Sequence, residues 1–228
     1  MSFDENLPPE GFRQRGLPPT ETRLLLIRHG ESYANLLGLA GGPLGDGGLT
    51  EVGRAQASAL ARRLAVTKEL ASASAFYTST LPRAIETGAL VFPAINPKLE
   101  VVTDESLCEL GVGEADGLSW PEVAQRHAAP NWDVDPSLKN VPGGESLLEF
   151  FKRCVDAMER IVARHPKELV VLVVHGGLIE QAMKLYQGLS GSVRLQPRIE
   201  NCSMTEIEFA RDHRRLLRYN DLSPIGVE

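Results

Sequence analysis

Six consecutive aliphatic residues, 169–174 (LVVLVV), constrain this chain more than any other stretch. A strand with one face in water alternates apolar and polar side chains, so a short unbroken apolar run demands cover on both faces. Sheets covered on both faces are built from parallel strands joined by helical crossovers. Three further runs fit this pattern: RLLLIR at 23–28, SAFYTS at 74–79 and LEVVTD at 99–104, each read as a strand buried on both faces.

Helical patterns fill the intervals. The stretch 50–66 begins with Thr50 as N-cap, and 81–92 places Pro82 in a first helical turn. Residues 119–127 carry Ser119 and Glu122 at capping-box spacing, and 145–165 puts Leu147, Phe151, Cys154, Met158 and Ile161 on one helix face. A helix at 176–189 follows the fourth strand directly, while SMTEIEFA and RRLLRY near the end read as a closing hairpin. This order predicts an α/β fold, a three-layer α/β/α sandwich on a mostly parallel, doubly wound sheet. With 228 residues, 43% of them hydrophobic, there is material for one substantial core. The expected organisation is a flexible N-terminal arm at 1–22 and a single domain over 23–228, with a cap-like insertion around 111–145.

A formal net charge of −6 argues against partners that are nucleic acid or anionic membrane, since both bind through clustered cations. The first residues lack the apolar core of a signal peptide, and no later run approaches membrane-spanning length. Cys108, Cys154 and Cys202 are an odd, widely spaced set with no CxxC pair, which fits a reducing, cytoplasmic setting and gives neither a disulfide framework nor a zinc knuckle. An exposed edge strand or a cap helix would allow two copies to pair as a homodimer.

In a doubly wound sheet, ligands sit beyond the carboxyl ends of the strands. There the chain places Arg28 and His29, then Ser79 and Arg83, then Glu109, then His175 with Gly176 and Gly177. Two arginines, two histidines and a carboxylate describe an anion site: guanidinium forks match phosphate oxygens, and a neutral imidazole is a competent nucleophile near pH 7. Its second nitrogen must be held by a hydrogen bond to fix the tautomer. Gly30 lets the backbone turn or come close beside the site.

The motifs RHGES, LTEVGRAQA, TSTLPRAIET, LCELGVGEADGLS, PGGES and VVHGG, in that order over roughly 23–220, resemble those of the histidine phosphatase superfamily, in its phosphoglycerate mutase-like branch. The resemblance implies a metal-independent phosphatase that needs no cofactor and acts on a small phosphorylated metabolite. It makes His29 the nucleophile forming a phosphohistidine, Arg28, Arg83 and His175 the phosphate clamp, and Glu109 the general acid. Asn35, Ser32 and Gly176 are implied as further phosphate or substrate contacts. Glu105, Glu114 and Asp116 stand near Glu109 as rival carboxylates, and Ala115 occupies a position where the family often has a bulky aromatic.

The stretch LGVGEADGLS after Glu109 resembles the phosphatase members and departs from the Arg-His-Tyr-Gly of glycolytic mutases. A mutase-type phosphoryl transferase and a non-catalytic phospholigand-binding scaffold remain the alternatives. A histidine-metal hydrolase ranks behind both, since no His-x3-His spacing occurs. The Cys-x5-Arg of 154–160 mimics a cysteine phosphatase loop, but it falls inside a helix whose amides are already used, so it reads as core. The glycine-rich stretch 38–48 lacks Gly-Lys-Ser/Thr and reads as a flexible rim or lid. Trp120 and Trp132 fit either cap or core, and His127, His165 and His213 are expected to face solvent.

Overall fold

A computed structural model describes residues 18–222. Most of the arm expected at 1–22 therefore lies outside the described residues. The elements run β1 (Thr22–Arg28), α1 (Tyr33–Leu37), α2 (Glu51–Thr67), β2 (Ala73–Thr78), α3 (Pro82–Ile95) and β3 (Val101–Thr103). After two 3-10 turns, Glu105–Leu107 and Gly113–Ala115, come α4 (Trp120–Arg126), α5 (Leu147–Arg164), β4 (Leu169–Val174), α6 (Gly176–Gln187), β5 (Met204–Phe209) and β6 (Arg214–Asp221). The six strands form one sheet in the order β3-β2-β4-β1-β5-β6. The first four are mutually parallel, and the β5–β6 hairpin adds antiparallel to β1.

Alternation along the central strands sends side chains into two cores, which makes the three layers. Leu24, Leu26, Val170, Leu172 and Val174 pack under α5 and α6, while Leu25, Ile27, Val171 and Val173 pack under α2 and α3. Burying each such side chain contributes about 2 kcal/mol, and a polar residue at any of these positions would face one helical layer. Charge fixes the hairpin at the sheet's other side: Arg218 pairs with Glu206 at 2.8 Å and Glu69 at 2.7 Å, and Arg63 reaches Asp221 at 2.8 Å.

Three sequence expectations need correction. β3 is not buried on both faces: it is a three-residue edge strand, with Val101 and Val102 exposed, because no further strand among the described residues pairs with that margin. On α5 the buried stripe is Phe150, Cys154, Ala157, Met158 and Ile161, so Phe150 takes the core position expected of Phe151. Two adjacent phenylalanines satisfy a helical period equally well, and only the 3-4 spacing from Ala157 and Ile161 separates them. His165 does not face solvent freely; it lies between the Tyr77 hydroxyl (2.9 Å) and the Glu168 carboxylate (2.8 Å).

Residues 111–145 hold α4 and make isolated bridges Val112 to Gly144 and Leu39 to Ser119. A small third core of Ala40, Val112, Ala115 and Val141 joins this segment to the glycine-rich loop. That loop is no free lid. The Asp116 carboxylate accepts the amide N–H groups of Gly42, Leu44 and Gly45 at 2.8–2.9 Å, which consumes the backbone donors a swinging loop would leave to water.

Candidate active site

β1 delivers Arg28 and His29 to the sheet edge, and the backbone there is held on every side. The His29 N–H donates to Val174 O at 3.0 Å, its carbonyl accepts from Asn201 at 2.9 Å, and Arg28 O accepts from the Cys202 N–H. Gly30 follows without a left-handed turn. Its reason is proximity: a Cβ there would stand 2.5 Å from the carbonyl oxygen of Gly53, and a Cβ on Gly53 would stand 2.0 Å from Glu31 O. Strand end and helix α2 touch backbone to backbone, so the close-approach reading of Gly30 applies and the turn reading does not.

His29 is buried, and its Nδ1 lies 2.7 Å from Gly30 O. A carbonyl only accepts, so Nδ1 carries the hydrogen and Nε2 keeps a lone pair. Burial, with the Arg83 charge adding to it, pushes His29 well below its ordinary pKa of 6.5, so the ring is neutral near pH 7. Arg83 is buried at the start of α3, with Pro82 before it, and its Nε–H lies 3.2 Å from both His29 Nε2 and His175 Nδ1. His175, fully buried at the end of β4, is likewise pushed well below 6.5 by burial and then by Arg83, and its Nε2 meets the Ser79 hydroxyl at 2.7 Å.

Arg28, His29 and Arg83 line a cavity of about 520 Å³ together with Asn35, Glu109, Gly176, Gly177 and Trp120, and the fully buried His175 supports them through its contacts with Arg83 and the His29 ring. Arg28 donates through Nη1 to Ile199 O, while its buried Nε–H has no partner among the described groups. A buried guanidinium donor without a partner, beside Gly176, is the feature an anionic oxygen would satisfy. Glu109 stands in the wall with its Oε2 accepting the Gly177 N–H and its Oε1 the Leu110 N–H, each at 2.9 Å. Its rivals are elsewhere: Glu105 and Glu114 are exposed outside this cavity, and Asp116 is spent on the glycine-rich loop.

Ser32 does not reach the cavity. Its hydroxyl caps α1 and, with the Ser32 N–H, engages Asn35 in a capping box, so the serine orients Asn35 and makes no contact of its own. Sequence reading also missed Asp46. Its carboxylate holds Arg83 Nη1 at 2.7 Å, and a single charged residue between Glu31 and Glu51 was the available signal.

A family model described as the histidine phosphatase superfamily, branch 1, matches residues 24–222. The chain belongs to the histidine phosphatase superfamily. Among its relatives, phosphoglycerate mutase-like protein 4 of Arabidopsis thaliana is 36% identical over 189 residues, covering 79% of this chain and 76% of that protein. A metal-independent phosphoserine phosphatase, also of Arabidopsis thaliana, is 34% identical over 161 residues, covering 69% of this chain and 66% of the relative. Among solved structures, a mycobacterial glucosyl-3-phosphoglycerate phosphatase complexed with VO3 superposes with a TM-score of 0.71 at 26% identity, covering 87% of this chain and 98% of its own.

Proposed function

We propose that this chain is a phosphomonoesterase that passes the phosphoryl group through His29 and needs no metal. The supporting observation is a neutral imidazole whose Nε2 lone pair faces the Arg83 Nε–H at 3.2 Å in a cavity that Arg28 also lines, with its own buried Nε–H unsatisfied among the described groups. His29 Nε2 attacks phosphorus and the bond to the leaving oxygen breaks. Arg28, Arg83 and His175 meet the equatorial oxygens, where the transition state concentrates its charge. Glu109, as general acid, gives a proton to the leaving alcohol. The resulting carboxylate takes a proton from the water that attacks the phosphohistidine, releasing inorganic phosphate and restoring both groups.

Hydrolysis is favoured over mutase transfer by what else lines the cavity. Among the described residues its cations are Arg28 and Arg83 alone, both assigned to the transferring phosphoryl group. A bisphosphorylated or strongly anionic second substrate has no further cation to meet, whereas Leu39, Val112, Trp120 and Ile199 offer an apolar rim. We therefore assign as substrate a small phosphomonoester whose alcohol portion is uncharged or carries an apolar face. The three cysteines are unpaired, which supports a reducing, cytoplasmic location. No helix among the described residues is long and apolar enough to cross a membrane.

The test is phosphate release from a panel of phosphomonoesters with chelator present, 3-phosphoglycerate included. Release of inorganic phosphate is expected. Conversion of 3-phosphoglycerate to its 2-isomer without phosphate would select the mutase, and vanadate binding without turnover on any substrate would select the scaffold.

A further inference from the structure

Glu109, the proposed general acid, sits on a segment outside any helix or strand, and three backbone carbonyls of that segment are met by one side chain on α5. Arg153, on α5, uses all five of its guanidinium N–H groups. Nη1 donates to Ser106 O and Cys108 O, each at 3.0 Å, and Nη2 donates to Glu109 O at 3.0 Å. The remaining donors form a bidentate pair with Glu145, 2.7 Å on each oxygen. Glu145 in turn accepts the Gly111 N–H at 2.8 Å on its side chain and donates its own backbone N–H to Gly111 O at 3.0 Å. Backbone groups from 106 to 111, on both sides of Glu109, are thus gripped by one planar fork and one carboxylate.

We propose that the Arg153–Glu145 pair is a positioning brace for the general acid. The fork is rigid, so the three carbonyls it joins cannot shift independently, and the Glu109 carboxylate keeps its seat against the Gly177 N–H. Neither brace residue belongs to the cavity that holds His29. Its effect on rate is therefore specific to the step in which Glu109 moves a proton. This rests on the assignment of Glu109 made above.

A leaving-group experiment tests it. Alkyl phosphates need a proton on the departing oxygen and aryl phosphates need it far less. Arg153→Met is expected to lower kcat/KM for an alkyl phosphate by about 50-fold, and for p-nitrophenyl phosphate by less than about 5-fold, the size expected when a reacting group is displaced by about 1 Å. Vanadate affinity, which reports the phosphate clamp, should change less than about 2-fold. In a Glu109→Gln background the added loss from Arg153→Met should shrink to within about 3-fold, because the group being positioned is gone. Should Arg153→Met not fold, Glu145→Gln removes one charged acceptor while leaving the three carbonyl contacts, and it should show the same selectivity at smaller size. Equal losses on both ester classes, beside a selective Glu109→Gln, overturn the brace alone. A Glu109→Gln that treats both classes alike overturns the acid assignment and the brace with it.

Discussion

The two sides of the cavity are built on different principles. On one side His29, Arg83 and His175 are buried, stand at the ends of β1 and β4 or in the first turn of α3, and take their places from backbone that the sheet fixes. On the other, Glu109, Leu110 and Trp120 come from connecting segments outside the sheet, and Trp120 is 52% exposed. In the reaction proposed above, the first side handles the phosphoryl group, which is the same in every substrate, and the second meets the alcohol, which differs. Rigidity is spent where the chemistry is constant, and side-chain struts suffice where specificity has to vary.

That contrast can be broken experimentally, starting with the largest effect. His29→Ala should abolish turnover, by at least about 10⁴-fold, equally for alkyl and aryl phosphates, since no leaving group dispenses with the nucleophile. A variant that retained selective activity on aryl esters would show that the sheet side is not where the covalent bond forms. Glu109→Gln should cost about 10²- to 10³-fold on alkyl phosphates and less than about 10-fold on aryl phosphates, measured as kcat/KM. Uniform losses there would erase the division of labour between the two sides.

Asp46→Asn sharpens the comparison, because it weakens the sheet side without removing a clamp residue. The variant keeps a hydrogen-bond acceptor for Arg83 but loses the buried countercharge, and about a 10-fold fall in kcat/KM is expected on both ester classes, with a lowered Tm. A fall confined to alkyl phosphates would place Asp46 with the acid. The smallest effect is in pH dependence. His29 and His175 are pushed well below 6.5 in the folded chain, so the unfolded chain binds more protons below that value. Stability contributed by the neutral rings is full above pH 6.5 and is lost progressively as pH falls below it. Denaturant midpoints should therefore decline from pH 7 to pH 5, and His175→Gln should flatten the decline. An unchanged slope in that variant would show that the buried ring is not its source.

The same division decides what could be read from the sequence. Unbroken apolar runs announce central strands, and residues that follow such runs inherit a common edge, so Arg28, His29, Arg83 and His175 were legible as a group. Glu109 was placed at that edge by following the third strand, but with three carboxylates nearby in sequence to compete, only motif resemblance gave it a role. Asp46, Asp116 and Arg153 were missed for one reason: each works on backbone or side chains far away in sequence, and a salt bridge or carbonyl contact leaves no periodic trace. Arg153 sits next to Cys154 on a helix whose apolar stripe explains that stretch fully, so nothing in the pattern sets it apart from an ordinary surface arginine. Ser32 erred the other way, since RHGES reads as one unit while its serine is occupied with capping.

The contact between Gly30 and Gly53 carries a consequence for how such a molecule can change. With no side chain on either residue to act as a cushion, the residue after His29 and the first turn of α2 share one van der Waals surface, and neither can shift without displacing the other. Insertions or exchanges in 36–48 and 111–145 do not pass through that surface. New substrates can therefore be explored at the mouth of the cavity while His29 Nε2 stays registered to the sheet.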